Sequence, residues 1–263
     1  MTSEVDGWNP DQYARFAAER AQPFHDLLAL VRPARGGDVI DLGCGTGELT
    51  RDLHAHAGSK RTVGIDSSEE MLARALPLAG DGLSFAPGDI GAFSDTAAWD
   101  VVFANAALQW VPDHPRLFAR LTAALRPGGQ LAVQMPYNAD HASHVVAAEV
   151  AAEEPFVSAM GGAPPADPVR GVLPPAQYAE LLYDLGYVEQ HVRMQVYGHV
   201  LDDTAAVVEW TSGTTLVRFR RALPADLDAK FVTRYRDRLV DRLGDRSPFF
   251  YAFKRILLWA RRP

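Results

Sequence analysis

A single cysteine, Cys44, stands in 263 residues, so the chain can form no internal disulfide and nothing in it calls for an oxidising compartment. Long apolar runs are missing as well, and without a stretch of roughly 18 such residues no membrane-spanning helix is expected. The opening Met-Thr-Ser-Glu-Val-Asp-Gly-Trp is acidic and lacks the basic start and apolar stretch of an export signal, so a cytoplasmic protein is expected. No cysteine and histidine cluster has zinc spacing, and no metal is expected. Basic residues are outnumbered 26 to 33, a formal charge of −7, which argues against nucleic-acid binding, and no membrane partner is expected either. With only 21 Gly and 18 Pro the chain is not of low complexity, and it holds no internal repeat. Its 48% of hydrophobic residues is instead that of a globular domain with a sizeable core.

The order of elements follows from periodicity. Tyr13, Phe16, Ala17, Phe24, Leu27 and Leu28 have helical spacing, interrupted at Pro23, which predicts two short helices. Asp38 to Leu42 reads as a strand, Gly43 to Gly47 as a turn, and the segment through His56 as a helix. The alternation recurs at Thr62–Ile65, Leu83–Ala86, Val101–Ala104 before a helix over Leu117–Leu125, and Gln130–Met135. Such alternation predicts βαβ units and a parallel sheet covered on both faces. A helical run then gives way to a Gly/Pro-rich loop or lid at Gly161–Pro175. Beyond it come a helix over Pro174–Leu185, a strand over Val188–Val200, helices over Thr204–Phe219 and Pro224–Leu243, and a last strand over Tyr251–Trp259. The expected fold is α/β: a doubly wound, mostly parallel seven-stranded sheet with N-terminal helices and a helical insertion. It is read as one domain, with cap helices in 1–35, a cofactor-binding core in 36–136, and a helical cap and final strands on the substrate side in 137–263.

The glycine loop carries the most chemistry. A glycine turn from strand to helix lets a ligand approach the backbone, and in a doubly wound sheet it lies at the strands' carboxyl ends. A dinucleotide loop has the spacing G-x-G-x-x-G, whereas here the glycines are Gly43, Gly45 and Gly47. The strand before them also carries Asp41, whose charge disfavours a pyrophosphate and favours a ligand bearing an ammonium and a sulfonium. Asp66, about 20 residues past Gly43, is where an acid accepts from both ribose hydroxyls. Asp89 follows the third strand and can accept from an adenine amino group, with Ile90 packed on the ring. Three acids after three successive strands describe an adenosine site without phosphate.

These motifs resemble the class I S-adenosylmethionine-dependent methyltransferases over roughly Asp38 to Met135. The resemblance implies S-adenosylmethionine as cofactor and S-adenosylhomocysteine as its product. It adds Tyr13, Ser67, Met71, Asn105 and Ala106 to the cofactor-binding residues. Trp8-Asn-Pro-Asp-Gln-Tyr13, Asn105 to His114, Ala132 to Asn138, Val208-Glu-Trp210 and Phe253-Lys-Arg255 together resemble the trans-aconitate methyltransferase family over nearly the whole chain.

That resemblance implies O-methylation of one carboxylate of a small tricarboxylic acid. A carboxylate is ionised at neutral pH, so no general base is required, and Gln109 and Trp110 are expected to position the acceptor. Its remaining carboxylates need partners, which planar arginine suits best. The substrate-binding candidates are Trp8, Trp110, Gln134, Tyr137, Arg218 and Arg255; Arg218 stands in Thr-Leu-Val-Arg where relatives often read Gly-Leu-Arg-Pro. His114, His141 and His144 read as surface or capping residues, and Cys44 as a small buried filler. Competing readings are a methyltransferase for another small metabolite, acid or hydroxyl, and a non-catalytic protein that binds an adenosine cofactor.

Overall fold

Five short apolar runs, each bounded by a turn and followed by polar periodicity, become five parallel strands. The structure is a computed structural model and describes residues 17–263. Trp8 and Tyr13 lie outside the described residues. Helix α1 (Ala17–Leu28) leads to β1 (Asp38–Leu42), α2 (Glu48–Ala57), β2 (Arg61–Asp66), α3 (Glu69–Ala75), β3 (Leu83–Pro87) and β4 (Trp99–Asn105). There follow α4 (His114–Ala124), β5 (Leu125–Pro136), α5 (Ala142–Ala151), α6 (Phe156–Ala159) and α7 (Pro175–Asp184). The chain ends with β6 (Glu189–Leu201), α8 (Ala206–Ser212), α9 (Val217–Ala222), α10 (Ala225–Leu243) and β7 (Phe249–Arg261).

The seven strands form one sheet in the order β3-β2-β1-β4-β5-β7-β6. Strands β1 to β5 run parallel, and β7 pairs antiparallel with β5, Gln130 opposite Arg261 through Pro136 opposite Arg255. The sheet reverses its winding between β1 and β4, and the crevice beyond their carboxyl ends is where such sheets bind ligands. Central strands are covered on both faces, which is why β1 and β4 are buried along most of their length instead of at alternate residues.

Two compact units share the chain. One, residues 20–137, 168–195 and 254–263, packs Ile40, Leu42, Val102, Leu121, Val133, Tyr178 and Leu258 into its core. The other includes residues 138–167 and 196–253 and has a separate core around Val146, Trp210, Phe219, Phe231, Tyr235 and Tyr251. Removing a leucine-sized side chain from water contributes about 1.5–3 kcal/mol, so each core is a stabilising unit in its own right. Arg234 on α10 bonds Glu153, and Arg242 bonds Glu149 on α5, but exposed ion pairs of this kind add little.

Two expectations are corrected. Pro23 does not divide α1, which runs through it as one helix. The helix expected over Thr204–Phe219 is two, because the chain leaves α8 at Gly213 and re-enters helix only at Val217. Thr211 in the last turn sends its hydroxyl back to the Val207 carbonyl, and Gly213 then supplies the cap. Between 161 and 174 the only regular element is a 3-10 turn at Pro168–Gly171. Among the described residues no helix is long and apolar enough to cross a membrane.

Candidate active site

The loop between β1 and α2 is shaped by its glycines. Gly43 has φ +82°, and a Cβ there would lie 2.4 Å from the Cβ of Ala107, so this residue can be nothing larger. Gly45 has φ +56°, but a Cβ there would meet nothing within 4 Å; its flank is open. The Gly45 N–H donates to Asp66 Oδ2 (2.8 Å) and the Ser68 N–H to Asp66 Oδ1 (2.9 Å), so the acid at the end of β2 ties the glycine loop to the start of α3. Each carboxylate oxygen keeps a lone pair for a ligand hydroxyl.

Asp41 is 4% exposed, and its Oδ2 accepts from the Thr50 hydroxyl at 2.6 Å. Burial pushes its carboxyl up to about 7, and the charge of nearby Asp66 pushes the same way, against the Thr50 hydrogen bond. A cation placed nearby would reverse the shift. Cys44 is buried as expected, and burial together with these two acids raises its thiol. Asp89 Oδ1 accepts from the Gly91 N–H at 2.7 Å, and Asp89 rims a cavity of about 400 Å³ lined by Ile40, Val63, Ile65, Phe93 and Trp99. Met71 is buried at the start of α3, whose N-cap is Ser68.

The turn after β4 faces Gly43 through Ala107. Ala106 is held left-handed at φ +54°, a conformation that costs an L-residue about 1–2 kcal/mol. Its N–H donates to the Gln134 carbonyl (2.9 Å) and its own carbonyl accepts from Gln109 Nε2 (2.7 Å), which together hold it. Asn105 and Gln134 are register partners on β4 and β5. Among the described residues, Asn105 Oδ1, Gln109 Oε1 and Gln134 Nε2 are buried with no hydrogen-bond partner. Two acceptors and one donor are therefore open to a ligand's polar groups, since a buried polar atom left unpaired costs about 1–3 kcal/mol.

Arg255, on β7 opposite Pro136, is 8% exposed and donates from Nη1 to Gln134 Oε1 at 3.3 Å. This neutral amide helps to orient the guanidinium. The Tyr137 N–H donates to the Lys254 carbonyl at 2.9 Å, which sets Tyr137 beside Arg255 in sequence register. Trp110 is 47% exposed and no part of the core. One unit thus holds Asp41, Asp66, Asp89, the glycines, Asn105, Ala106, Gln109, Gln134 and Arg255 on the ends of neighbouring strands.

Arg218 belongs to the other unit and is engaged there. It pairs with Asp167, which also bonds His144 (3.3 Å), while His144 Nε2 meets Thr215 Oγ1 at 3.2 Å. The Arg218 and His144 contacts hold the Asp167 carboxyl well below the usual carboxylate range despite its burial. His144 and His114 are buried, not surface residues: each finds a hydrogen-bonding partner far along the chain that its neighbours in sequence do not reveal. His141 does cap α5, accepting from the Ser143 N–H.

The set of groups fits S-adenosylmethionine and not a dinucleotide. Acids end β1 and β2 and follow β3, two buried amide oxygens need donors, and Glu48 occupies the first turn of α2, where a pyrophosphate would sit. A methyltransferase-domain family model matches residues 39–129. A phosphoethanolamine N-methyltransferase of Haemonchus contortus in complex with S-adenosyl-L-methionine shares the fold, with a TM-score of 0.54 at 18% identity over 92% of this chain and 52% of that one. An S-adenosylmethionine-dependent methyltransferase from Mesorhizobium loti aligns with a TM-score of 0.50 at 22% identity over 92% and 98%. Fold and strand-end acids define a class I S-adenosylmethionine-dependent methyltransferase. A trans-aconitate 2-methyltransferase of Deinococcus radiodurans is 44% identical over 97% of this chain and 98% of its own, and one of Variovorax paradoxus 42% identical over 89% of each. The chain belongs to the trans-aconitate 2-methyltransferase family.

Three contributors escaped the sequence. Thr50, Asp167 and Tyr178 each lie on or beside helices where their residue type reads as ordinary surface or core, and only the partner across the fold marks them.

Proposed function

We propose that the protein moves a methyl group from S-adenosylmethionine to one carboxylate oxygen of trans-aconitate, releasing the monomethyl ester and S-adenosylhomocysteine. The observation that carries this is full-length similarity to family members bearing that name. The bound cofactor supplies an electrophilic methyl on a sulfonium, so that a carboxylate lone pair forms the new O–C bond while the S–C pair returns to sulfur. Asp41 and the open flank of Gly45 receive the ammonium end, Asp66 the ribose hydroxyls, and Asp89 with Ile90 the adenine.

Arg255 and Gln134 Nε2 draw the acceptor's carboxylates toward the end of β5, and Gln109 and Trp110 bound its approach. The nucleophile arrives already ionised, so the residues' work is alignment and exclusion of water instead of proton removal. Single, buried Cys44 and the small-acid substrate agree with a cytoplasmic workplace. Mass spectrometry on a panel of di- and tricarboxylates with the cofactor tests the reading. Preferential gain of one methyl group by trans-aconitate is expected, and absence of turnover on every acid, with cofactor bound, would overturn it.

Two smaller expectations arise from the acids. Asp66→Ala removes acceptors for the ribose and for Gly45, and should weaken S-adenosylhomocysteine binding by about 1–3 kcal/mol in calorimetry; undiminished affinity would remove Asp66 from the site. Cofactor affinity should also follow pH through Asp41. In the free protein this acid holds its proton up to about 7, whereas the cationic ligand favours the carboxylate. Affinity should therefore rise up to about tenfold per pH unit approaching 7 and level off above it, with proton release on binding. The free protein behaves oppositely: its folded state binds the extra proton, so the Asp41 contribution to stability declines as pH rises from near 4 to about 7. An Asp41→Asn variant should show neither trend.

A further inference from the structure

Beneath the turn that carries Gln109 and Trp110 lies a pair of buried polar side chains that the reaction as derived does not use. His114 is 2% exposed and Tyr178 is fully buried, and the Tyr178 hydroxyl is hydrogen-bonded to His114 Nδ1. His114 Nε2 meets the Leu108 carbonyl at 3.2 Å, and the Leu173 N–H donates to the Tyr178 oxygen at 3.2 Å. A carbonyl can only accept, so Nε2 carries the proton, Nδ1 accepts, and the tyrosine hydroxyl donates. The chain of hydrogen bonds thus has one direction: Leu173 to Tyr178 to His114 to Leu108.

Two apolar rings would fill this space without desolvating any polar atom. A fully satisfied polar chain adds direction instead, because each member has one geometry that pairs it. The His114 and Tyr178 rings both lie against Phe118 on α4, with centroids 6.0 and 5.2 Å away, which leaves them little freedom to turn. One end of the chain is the carbonyl of Leu108, directly before Gln109. The other is the backbone just past the 3-10 turn Pro168–Gly171. Between them, Trp110 and Val111 send their N–H groups to the Ala107 and Leu108 carbonyls, so the Leu108 oxygen is shared by the turn and His114.

We propose that His114 and Tyr178 are positioning residues for methyl transfer. They fix the Leu108–Trp110 turn against the 168–173 segment, so that the acceptor meets Gln109 and Trp110 already set. This deepens the function proposed above and rests on it. Neither side chain touches a reacting atom; both act through the backbone of the turn.

Tyr178→Phe tests the idea with the least disturbance, since it removes one hydroxyl and keeps the ring. Expected are S-adenosylhomocysteine affinity within about twofold of wild type, kcat with trans-aconitate lower on the order of 10- to 100-fold, and faster amide hydrogen exchange confined to 107–111. His114→Gln returns a donor toward the Leu108 carbonyl and should recover most of the activity that His114→Phe loses. Wild-type kcat and exchange in Tyr178→Phe would overturn the proposal. So would faster exchange throughout the unit with matching loss of cofactor affinity, which would make the pair structural. If the wild-type chain leaves trans-aconitate unmethylated, the substrate reading falls, and exchange still judges the pair: acceleration confined to 107–111 upholds it and unchanged exchange overturns it.

Discussion

Gly43→Ala should cost the free protein about 2–5 kcal/mol and abolish measurable cofactor binding. Two effects add. At φ +82° an alanine is strained by about 1–2 kcal/mol. Its methyl would also sit 2.4 Å from the Cβ of Ala107, and overpacking of a well-filled site costs a further 1–3 kcal/mol or so. Relief can come only by moving Ala107, and with it the left-handed Ala106 and the amides of Asn105 and Gln109. Gly45→Ala is the matching control. Its φ of +56° brings similar backbone strain, but the added methyl meets no protein atom, so stability should fall by only about 1–2 kcal/mol while the methyl intrudes on the ligand's side of the loop. Chemical denaturation and calorimetry with S-adenosylhomocysteine separate the two. Equal loss of stability in both variants would mean that the Ala107 contact is not tight.

The second large effect is expected at Arg255. A buried guanidinium positioned by the Gln134 amide is suited to a carboxylate, and a bidentate charge-assisted contact of this sort contributes about 3–4 kcal/mol. Arg255→Ala should therefore lower kcat/KM for trans-aconitate on the order of 100- to 1000-fold, mostly through KM, with cofactor affinity unchanged. A monocarboxylate acceptor that lacks the distal carboxylates should lose much less. Arg255→Lys keeps the charge but not the planar fork, and should recover only part of the loss. Equal losses for the tricarboxylate and the monocarboxylate would make Arg255 a structural residue instead.

The parts of this molecule that could be read from the sequence are those set by neighbours along the chain. DVIDL followed by three alternating glycines states a strand and the turn that leads into a helix, and the acids Asp41, Asp66 and Asp89 recur at or just past the ends of the first three strands. Long-range pairing is different in kind. His114 and Tyr178 are 64 residues apart, and neither the helical spacing around His114 nor the aromatic at 178 signals that one will bond the other. Arg218 reads from the sequence as a candidate for binding a substrate carboxylate, and its ion pair with Asp167, in a Gly/Pro-rich stretch without periodicity, has no local signal. Pro23 differs from its local signal for a related reason, since a proline favours a break locally while the surrounding packing decides whether the helix continues.

The glycine in the middle of β2 has an effect on the lone thiol. A Cβ at Gly64 would lie 2.8 Å from the Cys44 Cβ and 3.0 Å from its sulfur, so the missing side chain is the niche into which the thiol folds. Sealed there at 8% exposure, and with its ionisation suppressed by burial and by the acids Asp41 and Asp66, Cys44 should resist alkylating reagents while the loop stays closed. Its modification rate is consequently a native clock for opening of the glycine loop, one that a bound adenosine cofactor would slow and that needs no engineered label.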